Sequence, residues 1–169
     1  MNCARASLPL APSPAESTLA SHRYRTKLHF VLQPPAGMEW LRDETVLRNW
    51  LLGVAALRAL SVGLGYLSPM TLQARVFSHA GKQYTGLVGR TFAVWTAVTC
   101  LVTTMAAFNL RNAALLWTTV ATFVAANSFF ALELLVYKSV SVATIALPFF
   151  FATSSSLWLA FIQIPKLAV

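Results

Sequence analysis

Three ionisable side chains lie where such groups are rare. Arg58 interrupts an apolar run from about Val46 to Leu67, Arg90 stands at the mouth of a second that opens near Thr91, and Glu133 lies inside a third that reaches Tyr137. A charge within a membrane span is costly, and where one occurs it marks a substrate or proton path, or it meets a partner charge. The second and third runs are joined by a turn centred near Leu110 and Arg111. With Arg90 about 20 residues before that turn and Glu133 about 22 after it, a rise of 1.5 Å per residue puts both ~30 Å from the turn on the same side. The expectation is an Arg90–Glu133 ion pair that clamps the register of a helical hairpin. Arg58 lies nearer mid-membrane, and with Asn127 it forms a candidate polar site at membrane depth. Arg58, Arg90 and Glu133 together are the residues from which a small transporter or channel subunit would have to build a polar path.

No catalytic constellation can be assembled. Of the three histidines, His22 and His29 precede the first apolar run and His79 lies between the first and second. A histidine-ligated metal enzyme is excluded, and no Ser/His/acid set or glycine-rich phosphate loop is present. Cys3 and Cys100 stand in a polar tail and an apolar run, and no C-x-x-C occurs. No catalytic, metal-ligating or cofactor-binding residue is therefore assigned, and no cofactor is expected.

The elements that position these residues follow from composition. Of the 169 residues, 57% are hydrophobic and 11% charged, whereas a soluble domain carries about 25% charged. Mean hydropathy is +0.62. A soluble enzyme cannot be covered with so little polar side chain. The net charge is +8, but the basic residues stand singly and form no stripe of the kind that tracks phosphates, so no nucleic-acid partner is expected. Four apolar stretches, about 46–67, 91–110, 113–137 and 143–164, are each near the ~20 residues that cross a bilayer core. In lipid, backbone groups must be satisfied within the segment, so each is a helix. The fold class is an all-α integral membrane four-helix bundle over residues 43–169. Residues 1–42 hold five of the eight prolines and read as a disordered tail or a targeting segment, with Met38 as an alternative start.

The connections differ in length. Asn109 to Asn112 and Lys138 to Val142 are tight, whereas Ser68 to Arg90 is long and is the only sizeable polar segment within the core region. Lys and Arg near the helix ends divide four against four, and only Arg23, Arg25 and Lys27 tilt both termini toward the cytosol. Thr118, Thr119, Thr122, Ala125 and Ala126 on the third helix, and Thr153 to Ser156 on the fourth, suit close helix packing. Trp50, Trp95, Trp117 and Trp158 fall near the ends of the runs, where aromatic rings anchor at the interface.

The order of these segments carries a resemblance. LRNWLL (Leu47 to Leu52), LVGRTFAVWT (Leu87 to Thr96), the NLRN turn and ELLVYKS (Glu133 to Ser139) resemble the ergosterol biosynthetic protein twenty-eight family, in the same order and with similar spacings from Leu47 to Phe161. The resemblance implies a small four-helix, multi-pass protein of the endoplasmic reticulum membrane without catalytic residues. It implies a scaffold that tethers the enzymes of sterol C-4 demethylation: a sterol methyl oxidase, a decarboxylating dehydrogenase and a ketoreductase. The lipid bilayer and a homo-oligomer are the other partners kept in view. The amino-terminal tail departs from the family pattern, which starts just before the first helix.

Overall fold

A computed structural model describes residues 39–167, which are helical nearly throughout and contain no strand among the described residues. Four long helices dominate: α1 (Glu44–Leu67), α3 (Gly86–Phe108), α4 (Ala113–Leu132) and α5 (Val142–Trp158), with a short α2 (Pro69–Arg75) between the first two. A π-helical turn (Glu133–Tyr137) extends α4, and another (Leu159–Gln163) with a final turn (Ile164–Leu167) extends α5. The resulting spans of 24, 23, 25 and 26 residues are each long and apolar enough to cross a membrane. Over the described residues this is an all-α membrane protein with four spans.

Each span begins at a side chain that caps the free N–H groups of a first helical turn. Asp43 accepts from the Thr45 amide, Thr85 from Val88, Asn112 from Leu115, and Ser141 forms a capping box with Thr144. The Thr85 cap starts α3 at Gly86, five residues earlier than the hydropathy run suggests. Lys138 ends the turn after α4 in the left-handed conformation, φ 55°.

Small residues set the helix pairing. A Cβ on Gly65 of α1 would lie 2.6 Å from the Ala93 Cβ and 2.8 Å from the Gly89 carbonyl oxygen of α3, so the two backbones meet there. The main core joins Leu47 and Leu51 of α1 to Leu116 and Phe123 of α4 and to Trp158 and Leu159 at the end of α5. Large apolar side chains such as Leu101, Met105 and Phe108 remain on the outside, as they do on a surface solvated by lipid.

The long connection after α1 is more than a polar loop. Phe77 and Tyr84 are buried and pack with Phe130, Val140 and Ile145 in a second cluster. The tail expected over residues 1–42 lies almost wholly outside the described residues. Its last four, Glu39–Arg42, form a 3₁₀ turn, and the Leu41 carbonyl there accepts from the Trp158 indole at 2.8 Å.

Candidate functional site

Arg58 lies in the middle of α1, with about 14 Å of helix between it and the nearer end. Its guanidinium carbon stands 4.5 Å from the centre of the Phe123 ring of α4. Phe123 is fully buried, and Arg58 Nη1 is buried without a hydrogen-bond partner. An arginine at a helix centre costs about 2.5–3.5 kcal/mol to insert. A cation–π contact returns about 0.5–2 kcal/mol. The ring therefore offsets part of the charge and leaves the remainder uncompensated.

Arg58 forms part of the wall of a cavity of about 580 Å³, bounded by all four long helices and α2. The cause of the cavity is visible in the helix contacts. Near the start of α1, Trp50 donates to Ser155 of α5 at 3.0 Å and packs on Phe151, with ring centres 5.3 Å apart. Further along, α1 and α5 face each other across the cavity instead, and Pro148 of α5 lies in its wall. A proline inside a helix removes the hydrogen bond to the carbonyl four residues back, here Thr144. The walls are otherwise mainly apolar, and no Asp or Glu lines them.

Asn127 is not among the cavity residues. Its Nδ2 donates to Thr153 Oγ1 of α5 at 3.1 Å, and its Oδ1 is buried without a partner. The structure thus separates the two members of the candidate polar site. Arg58 faces a cavity, whereas Asn127 ties α4 to α5.

The expected Arg90–Glu133 pair is not formed. Among the described residues the one ion pair within 4.0 Å joins Arg111 to Glu44, both largely exposed. Glu133 instead accepts from the Ser139 hydroxyl, which the π-helical turn folds back toward it. Equal depth does not fix which way each side chain points around its helix. Phe92 faces Phe129 across the hairpin, ring centres 6.4 Å apart, and Phe77 from the preceding connection lies 5.3 Å from Phe92 and 6.3 Å from Phe129. Arg90, two residues before Phe92, is turned about 200° from it on a helix of 3.6 residues per turn. It lies exposed over its own helix, with Nη1 3.4 Å from where a Gly86 Cβ would stand. Arg58, Arg90 and Glu133 therefore do not line one path.

Two of the four tryptophans expected at the interface are internal fasteners. Trp158 is buried and Trp50 half-buried, and their rings lie 6.0 Å apart. Trp95 packs on Phe129 at 5.4 Å, and of the four only Trp117 is exposed. Gln163 was not singled out by sequence reasoning. It is buried and donates to the Leu110 carbonyl at 3.0 Å, which pins the end of α5 to the hairpin turn. A lone glutamine two residues before Pro165 in a terminal apolar run was its only signal. Tyr84 Oη is likewise buried and unpartnered, and burial pushes its phenol above the ordinary range. The Thr and Ser residues mostly bond carbonyls of their own helices, as Thr103 does to Thr99 at 2.7 Å.

Trp50, Asn127 and Gln163 thus fasten helix to helix, while Arg58 rests on the Phe123 ring and faces a mainly apolar cavity. The family model described as "Erg28 like protein" matches residues 47–157, from the core of α1 to the end of α5. The chain belongs to the Erg28-like family. An Arabidopsis thaliana relative, "Ergosterol biosynthetic protein 28", is 36% identical over 110 residues, covering 65% of this chain and 84% of that protein. A Gibberella zeae protein of the same name is 36% identical over 88 residues, half of each chain. No solved structure matches. Within this Erg28-like chain the matched region contains Arg58, the cavity and the Trp50–Ser155 bond.

Proposed function

We infer that the protein is a non-catalytic membrane scaffold of sterol biosynthesis. It tethers the C-4 demethylation enzymes, a methyl oxidase, a decarboxylating dehydrogenase and a ketoreductase, at the endoplasmic reticulum membrane. Membership of the Erg28-like family, with two relatives named for ergosterol biosynthesis, carries this reading. The use of side chains supports it. Trp50, Asn127 and Gln163 fasten helix to helix, and the outer faces are apolar, as surfaces for lipid and for the membrane helices of partners are. No histidine lies in any span, and the one carboxylate in the third span is held by Ser139.

Affinity purification from a mild detergent, followed by mass spectrometry, tests the tethering. The three sterol enzymes should be recovered together with the chain. Recovery of none of them contradicts the scaffold role.

A further inference from the structure

We propose that the cavity beside Arg58 binds one sterol-class carboxylic acid, with Arg58 as the counter-ion of its carboxylate. The site is a ligand site and not a catalytic one, since no acid or base other than arginine reaches the cavity from the spans. The inference rests on the scaffold reading for the sterol skeleton, and on the geometry for the acid.

Three observations converge. The first is charge. Arg58 Nη1 is buried without a hydrogen-bond partner, no carboxylate of the protein lines the cavity, and the other cation in its wall, Arg75 of α2, is exposed. A guanidinium fork pairs best with a planar two-oxygen anion. The second is size and lining. A cavity of about 580 Å³ falls in the ~300–1,000 Å³ range of small-molecule sites, which are mostly apolar with a few placed polar groups. Phe92, Trp95 and Phe130 supply broad flat surface against which a rigid ring system can lie. The third is access. Leu57 and Leu60 of α1 and Leu147 of α5 line the cavity and are exposed on the lipid-facing side. A ligand entering between these helices comes from the bilayer rather than from water. An apolar body with one anionic group satisfies all three.

Purified protein in lipid nanodiscs is titrated with three probes: a 4-carboxysterol, the corresponding neutral 4-methylsterol, and oleate. The 4-carboxysterol should bind at least about tenfold more tightly than either of the others. Arg58→Met should reduce its affinity to that of the neutral sterol, whereas Ser61→Phe, which fills the cavity beside Arg58, should weaken both sterols. Where a variant fails to fold, a photoreactive 4-carboxysterol on the wild-type protein serves instead and should label peptides of α1 and α3. Equal affinity for acid and neutral sterol, or labelling confined to other surfaces, overturns the site. Oleate binding as tightly as the sterol acid overturns the sterol class. Capture of the sterol enzymes is followed separately, by affinity purification of the wild-type chain from mild detergent. Capture that persists in the wild type without selective acid binding rejects the ligand site alone, and loss of capture rejects the scaffold.

Discussion

The Arg58 guanidinium sits on the face of the Phe123 ring, 4.5 Å from its centre, and so ties the middle of α1 to the middle of α4. This contact is the bundle's own compensation for a charge at membrane depth. Phe123→Leu removes the ring and leaves the charge. We expect a loss of about 1–3 kcal/mol from contact and packing together. Arg58→Met should raise thermal stability in detergent, because a partly buried cation that the ring compensates only in part is removed. In the double variant most of the cation–π loss should vanish, giving a coupling of about 0.5–2 kcal/mol in a double-mutant cycle read by thermal unfolding.

Trp50 and Ser155 close the other end of the α1–α5 pair. Ser155 is fully buried, so a lost indole N–H leaves its hydroxyl without that donor. Trp50→Phe should lower stability by about 0.5–1.5 kcal/mol. Adding Ser155→Ala should cost little more, since the bond is already broken. Additive losses in thermal unfolding would mean that the bond contributes nothing.

Gly65 and Gly53 provide a matched comparison on one helix. A methyl group at Gly65 meets Ala93 and the Gly89 carbonyl at under 3.0 Å, whereas one at Gly53 meets nothing within 4 Å. Gly65→Ala should destabilise by about 1–3 kcal/mol through forced separation of α1 and α3. Gly53→Ala should be neutral, or stabilising by up to about 1 kcal/mol. Equal effects would contradict the close approach.

Arg90 and Glu133 should behave independently. Glu133→Gln weakens the bond from Ser139, and Arg90→Gln touches only an exposed side chain. Their combined effect should equal the sum of the singles. Glu133→Gln and Ser139→Ala should instead be non-additive, because they share one bond. Thermal unfolding of the five variants checks both statements.

Much of this architecture was legible in the residues. The four spans, the tight Asn109–Asn112 turn and the all-α class follow from run length and the needs of a backbone in lipid. Arg58 was legible as a charge at depth, because a lone arginine in an apolar run has few other readings. The false pair shows where such reasoning stops. Counting residues from a turn gives depth, but Phe77, inserted against Phe92 and Phe129 from the connection before α3, shares the space between the helices. No local pattern announces that insertion. Trp50 and Trp158 were misread for a related reason. An indole near a run's end suits the interface equally well, and only the arrival of Ser155 and the Leu41 carbonyl turns it inward. The cavity itself depends on how α1 and α5 face each other, which is a property of the pair and not of either sequence segment.

A scaffold proposed to support C-4 demethylation without catalysing a step should reveal itself in the sterol profile of a clean deletion. We expect a rise in 4-methyl and 4-carboxy sterol intermediates, with the activity of each demethylation enzyme unchanged when assayed alone. A normal profile would contradict it, as would turnover of a sterol by the purified chain unaided.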